Sequence, residues 1–184
     1  MSSRLAPLLV LLVACSSDPL QYSAPVGIEL KAKSSDVSTS VISEQKAITT
    51  ESGNPYGAFV SAAMTKLGGK APGSLAISDL SLTLGAQSTG VTALEEVTTG
   101  DVDVAFLVDT SNNTYDAGHV MDPTGVGPVA MDPTFDWSAV SAGDQTSMLQ
   151  GSFKVVLRGA SAASFSGKGA EASLQLTFTF AAFE

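Results

Sequence analysis

The chain has 184 residues, 18 acidic against 9 basic side chains, a formal net charge of −9, and a single cysteine. That length suits one domain with a substantial core, the lone cysteine rules out an intrachain disulfide, and the acidic balance excludes nucleic acid as a partner, because phosphate neutralisation needs clustered Lys and Arg. Seventeen glycines, 7% aromatic residues and abundant Ser and Thr suit a β-rich domain better than a helical one.

The chain opens "MSSRLAPLLVLLVAC", a polar head carrying Arg4 followed by an apolar run from Leu5 to Ala14. A membrane span needs about 20 apolar residues, so this shorter run reads as a cleaved export signal. Leu12-Val13-Ala14-Cys15 resembles the lipobox of bacterial lipoproteins, and the resemblance covers the export segment alone. It implies cleavage before Cys15, a diacylglycerol on the Cys15 thiol, and a membrane held by acyl chains that contribute ~0.8 kcal/mol per buried CH₂. Ser16 stands where an Asp would resemble an inner-membrane retention signal of enteric bacteria, so the resemblance implies the outer membrane of a two-membrane host. Residues 1–14 are then a signal peptide, 15–24 a lipidated tether reaching about 30 Å at most when extended, and 25–184 a single domain. Loss of Arg4 with the leader moves the balance from 9 − 18 = −9 to 8 − 18 = −10.

Val26, Ile28, Leu30 and Ala32 alternate with Gly27, Glu29, Lys31 and Lys33, the period of a half-buried strand. The Ser/Thr-rich stretch after it is either a weak edge strand around Val41 to Thr50 or loop. "NPYGAFVSAAMTKLGG" predicts a helix over about 55–67: Asn54 caps, Pro55 takes the first position, and Gly68-Gly69 stop it. Tyr56, Phe59, Val60, Ala63, Met64 and Leu67 form its apolar face.

From Ala71 the pattern is strands. Leu75 and Ile77 alternate, then Leu80, Leu82 and Leu84, so the parity changes near Ser78-Asp79 and predicts a bulge there. Val102, Val104, Phe106 and Val108 face inward with Asp101 and Asp103 outward. Phe153, Val155 and Leu157 oppose Lys154 and Arg158. Leu174, Leu176, Phe178 and Phe180 against Gln175, Thr177 and Thr179 read as a central strand. The expected fold is all-β, an antiparallel β-sandwich of seven or eight strands, jelly-roll-like if the order is Greek key, with one α-helix. A membrane β-barrel is disfavoured because the strands lack a lipid-facing apolar band with aromatic girdles.

"MDPT" occurs at Met121 and again at Met131. Two copies are too few and too short for a repeat array, whereas Asp-Pro-Thr favours turns, so the simplest reading is two successive corners around "GVGPVA", at most a short edge strand because Pro128 cannot donate to a ladder. The sharper reading is a Ca²⁺ site. No Lys or Arg occurs from Ala71 to Phe153, a stretch holding eleven carboxylates that must be solvated, paired at a distance or neutralised by a cation. Asp109, Asn113 and Asp116 of "DTSNNTYD", with Asp122 and Asp132, are the candidate ligands, although the loop departs from an EF-hand, with Thr114 in place of Gly and no closing Glu.

His119 is the only histidine, without a nucleophile signature around it. Several-ligand zinc or iron sites and phosphate-cradling loops lack their residues. A carboxylate glycosidase remains as a minor alternative: Glu95 and Glu96 would point to opposite faces of a strand, and Trp137, the sole Trp, offers a thin sugar platform. The expected function is a non-enzymatic, lipid-anchored envelope module that contacts another protein or a glycan through loops at one end. The alternative is a calcium-stabilised adhesion or coat module.

Overall fold

A computed structural model describes residues 20–167 and 169–184; Cys15 and the leader lie outside them. The described residues form eight strands: β1 Gln21–Lys33, β2 Val41–Ile48, β3 Ser74–Leu84, β4 Thr98–Val108, β5 Thr114–Met121, β6 Val129–Pro133, β7 Phe153–Ser161 and β8 Glu171–Phe183. Two helices join them, α1 Pro55–Lys66 and α2 Ala142–Leu149. The fold is all-β and wholly antiparallel.

The ladders follow a simple rule: β1 pairs β8, β2 pairs β7, β3 pairs β6 and β4 pairs β5. This is a long antiparallel ribbon rolled upon itself, the pairing of a jelly roll. Further ladders, β3 with β8 and β4 with β7, make two halves, and β6 joins them into one sheet of order β1-β8-β3-β6-β5-β4-β7-β2. The sheet is nearly closed. β1 and β2 lie near each other but share no ladder, and Gly27–Lys31 and Glu44–Ile48 line one groove.

The inner faces carry the alternation expected from the sequence. Val26, Ile28, Leu30, Val102, Val104, Phe106, Phe153, Val155, Leu157, Leu174, Leu176, Phe178 and Phe180 are all buried. Phe106 is the hub of an aromatic cluster, with ring centroids 5.3 Å from Phe153 and 5.7 Å from Phe178. Such pairs add about 0.5–1.5 kcal/mol beyond their burial. β8 is central, paired on both sides, and the expected bulge in β3 lies between Ile77 and Asp79.

The α1 helix starts as its sequence dictates: the Asn54 side chain accepts from the Tyr56 amide at 3.0 Å, and Pro55 follows the cap. Its buried face lays Tyr56 and Phe59 against Phe180 at 5.5 and 5.6 Å. Tyr22 of β1 stacks on Phe59 at 5.9 Å. The strand therefore begins at Gln21 and takes Gln21–Ala24 out of the expected tether. Tyr56 also donates its hydroxyl to the Met148 carbonyl of α2 at 3.0 Å, and burial pushes that hydroxyl's pKa up.

Of the two readings of the stretch around Val41, the edge strand holds. Other expectations need correction. There are two helices, since α2 follows a Ser141 cap whose side chain accepts from the Asp144 amide at 3.3 Å. The Asp109–Asp116 segment, read as a loop, runs into strand, and Thr114–Met121 form β5. β6 is no edge strand: Val129–Met131 pair with β3, and Asp132 and Pro133 pair with β5. Pro128 stands just before the strand, where its missing N–H disturbs no ladder.

The two copies of Met-Asp-Pro-Thr thus differ. Asp122 is a corner residue, with φ +45°, whose carboxylate accepts from the Gly100 amide at 2.7 Å. Asp132 sits inside β6 opposite His119, where the ladder overrides the turn tendency of Asp-Pro.

Candidate functional site

Four strands, β5, β4, β7 and β2, present an outer face whose composition differs from the rest of the sheet. Along β4 the buried Val102, Val104 and Phe106 leave Asp103 exposed between them. The registers then fix its neighbours: Asp103 lies opposite His119 of β5 on one side and Arg158 of β7 on the other. His119 in turn faces Asp132 of β6, and Arg158 faces Ser43 of β2. One transverse row therefore runs Asp132, His119, Asp103, Arg158, Ser43, all exposed.

Strand spacing of about 4.7–4.9 Å separates successive members. The row alternates hydrogen-bond acceptors with donors: carboxylate, imidazole, carboxylate, guanidinium, hydroxyl. Arg158 is the only arginine among the described residues, and His119 is the only histidine of the chain. Among the described residues, none of these side chains forms an ion pair with another; the two ion pairs present are Lys70–Glu184 and Lys154–Asp109.

A bulge in β5 extends the row into a patch. The register shifts between Val104/Gly118 and Ala105/Asp116, so Ala117 is the extra residue and is buried. Without that extra residue, Asp116 and His119 would point to opposite faces, because three steps along a strand reverse the side chain. With it, both face outward. Two adjoining hollows result, of about 370 and 460 Å³. Ala105 lies on the floor of both, with Asp103, Thr114 and Arg158 around it; Ser43, Gln45 and Val156 border the first, and Asp116, His119 and Thr134 the second.

Gly118 permits this geometry. A Cβ there would lie 2.8 Å from the Asp132 carbonyl oxygen and 2.7 Å from Leu80 Cδ2. Only a residue without a side chain lets β6 approach β5 closely enough to bring Asp132 beside His119.

The five residues expected to ligate calcium are dispersed among other partners. Asp109 pairs with Lys154 at 3.4 Å. Asn113 donates its side-chain amide to Asp144 of α2 at 2.8 Å. Asp122 caps the Gly100 amide, Asp116 stands in the β5 patch, and Asp132 belongs to the transverse row. Among the described residues no group of three or more His, Cys, Asp or Glu side chains is placed to hold a metal ion.

What orders the Asp109–Asp116 segment is the buried carboxylate of Asp144. It accepts from the Tyr115 hydroxyl at 2.6 Å as well as from Asn113. The hydrogen bonds from Tyr115, Asn113 and Ser111 lower its pKa to about 2. Neutral donors, and no Lys or Arg among the described residues, thus satisfy this carboxylate.

Glu95 and Glu96 occupy a 3-10 turn, Leu94–Glu96, rather than a strand. Glu95 accepts from the Gly125 amide at 2.6 Å, and Glu96 from the Thr92 amide at 2.7 Å. Both carboxylates are engaged in fastening separate loops. Trp137 donates its indole N–H to the Gly73 carbonyl at 3.2 Å and packs edge-on against Phe135, and it lines neither hollow.

Sequence reading missed the transverse row. Each member was visible, but only pairing register sets them in line, and β5 and β6 had not been read as paired strands. No protein-family model matches this chain, and no curated protein matches it.

Proposed function

We propose that this protein is a non-enzymatic binding module of the bacterial envelope, anchored by acylated Cys15 at the outer membrane, whose outer β5-β4-β7-β2 face takes an envelope glycan. The observation that carries the reading is the row Asp132, His119, Asp103, Arg158 and Ser43. Its alternating acceptors and donors suit a polyhydroxylated chain, which offers both donors and acceptors at each sugar, and the shallow open hollows suit a polymer lying across the strands.

The anchor follows from the lipobox-like Leu12-Val13-Ala14-Cys15. Because β1 starts at Gln21, residues 16–20 alone separate the lipid from the fold, a reach of under about 20 Å. Gln21 pairs with Phe183 beside α1, so the α1 end of the domain lies nearest the bilayer and the glycan face stands at its flank.

The test is co-sedimentation of the detergent-solubilised full chain with purified peptidoglycan sacculi. Binding by the parent protein, lost in Arg158→Ala and Asp103→Ala and kept in Thr177→Ala on the opposite half, supports the reading. A parent protein that stays in the supernatant contradicts it. Intact mass of the native protein tests the anchor separately: cleavage before residue 15 with acyl mass on Cys15 is expected, and an unmodified thiol removes the anchor.

A further inference from the structure

We infer that the outer face of α1 seats directly on the phospholipid surface that holds the anchor, an inference that rests on the acylated Cys15 proposed above. In a chain with 18 acidic side chains, no Asp or Glu occurs from Ser52 to Ser78, the stretch that holds α1 and leads into β3. While the buried face of α1 packs on Phe180, its outer face exposes Ala58, Ser61, Met64 and Thr65. A surface helix that faces water ordinarily turns charged residues outward. The outer face of α1 has none before Lys66, its last residue.

The position of this face relative to the anchor names its occupant. Leu20, Met64, Met121 and Val126 are the exposed large apolar side chains among the described residues. Leu20 and Met64 lie together at the end where the chain leaves for Cys15. The Leu20 carbonyl accepts from the Glu184 amide at 3.2 Å, the Glu184 carboxylate pairs with Lys70, and the neighbouring Gly69 amide donates to the Met64 carbonyl at 2.8 Å. Only residues 16–19 separate Cys15 from Leu20, so a lipid on that thiol holds Leu20 within about 20 Å of the bilayer. An open hollow of about 520 Å³ between α1 and the end of α2, lined in part by Gly57, Val60 and Leu149, adds apolar surface beside Met64.

Charge separates the two ends of the domain. β4 runs from Asp101 at one end to Val108 at the other, where Val108 pairs with Phe153, whose ring meets Tyr56 of α1 at 5.2 Å. The Asp101 end exposes Asp36, Glu95, Asp101 and Asp122. At the α1 end Lys70 and Lys154 pair with Glu184 and Asp109, leaving Glu51 before the helix and Lys66 at its close. A surface carrying anionic headgroups repels the acidic end and admits the near-neutral one. Two apolar side chains and one lysine make a weak contact alone, and the tether raises its effective concentration. Seated in this way, the strands rise from the bilayer and the transverse row from Asp132 to Ser43 lies along it.

The experiment uses the native lipidated protein in vesicles of phosphatidylethanolamine and phosphatidylglycerol, with a fluorophore on Met64→Cys or, at the opposite end, on Val126→Cys; the acylated Cys15 does not react with the label. Nitroxides carried on the lipid should quench the label at position 64 several-fold more than the label at position 126, and iodide in the water should do the reverse. Adding Ser61→Glu, which places a carboxylate on the exposed face of α1, should lower the lipid quenching at position 64 and leave position 126 unchanged. Equal quenching at the two positions, or quenching at position 64 that Ser61→Glu does not alter, overturns the inference. In acylated protein such a result leaves the anchor standing, whereas an unmodified Cys15 thiol, read by intact mass, overturns both. Sacculus binding enters none of these readouts, so the glycan reading stands or falls separately.

Discussion

The half of the sheet made by β1, β8 and β3 turns Gly27, Ser81, Gln175, Thr177 and Thr179 outward, with Glu29, Lys31 and Lys33 along the end of β1, whereas the half made by β5, β4, β7 and β2 gathers Asp103, Asp116, His119, Lys154 and Arg158 on its outer face. On the inner side the two halves are alike, each supplying alternate aliphatic and aromatic residues to one core. Burial constrains the inner faces to a common chemistry. The outer faces are free to differ, and isolated surface charges contribute little to folding. Folding alone therefore does not require the one described arginine and the only histidine to share one half.

The largest expected effects test the shared core. Phe106→Ala in the β5-β4-β7-β2 half and Phe178→Ala in the β1-β8-β3 half should each cost about 3–5 kcal/mol in urea unfolding, because both rings are fully buried in one cluster. A large loss for one and a negligible loss for the other would split the molecule into a structural half and an accessory half.

Next comes Gly118→Ala, which drives a Cβ against the Asp132 carbonyl and Leu80. A destabilisation of about 1–3 kcal/mol is expected from such overpacking, read as a lowered melting temperature, with weaker sacculus binding as β6 moves away. An unchanged melting temperature would mean that the β5–β6 junction yields freely.

Asp144 gives the β5-β4-β7-β2 half an acid sensitivity. Its folded pKa, about 2, lies below the ordinary aspartate value of 3.8, so the carboxylate's contribution to stability is fully present above about pH 4 and is lost as pH falls towards 2. The melting temperature of the parent protein should drop through that window more steeply than that of Asp144→Asn. Parallel acid profiles would remove Asp144 from the account of how residues 109–116 are held.

The smallest effects on folding are expected on the outer faces. Arg158→Ala and Thr177→Ala should both stay within about 0.5 kcal/mol of the parent in urea unfolding. They should separate only in glycan binding, and equal loss of binding in both would erase the functional distinction between the halves.

Much of the fold was legible because strict alternation survives in β1, β4, β7 and β8, where one face is wholly buried. The cap at Asn54 and the parity change at Ser78-Asp79 were legible for the same reason: each is a local rule with a local cause. β5 was hidden by its bulge, since consecutive burial of Ala117 and Gly118 breaks the period of two. Pro128 makes the β6 segment read as an edge, yet it stands outside the ladder. α2 is short, with Gly143, Thr146 and Ser147 weakening its helical signal, and only Ser141 announced it.

The expected calcium ligands illustrate a further limit. Asp122 and Asp132 share a motif, but one caps a turn and the other lies in a strand, and Asn113 finds a carboxylate rather than a cation. The transverse row depends on register across five strands, which no short window of sequence contains.

The central claim is that binding belongs to one outer face. Amide chemical shifts of the protein, followed while soluble peptidoglycan glycan fragments are added, test it most directly. The account predicts shifts confined to residues around Ser43, Asp103, Asp116, His119 and Arg158, with Thr83, Gln175 and Thr177 unmoved. Shifts centred on the β1-β8-β3 face, or no shifts at saturating fragment, would contradict it.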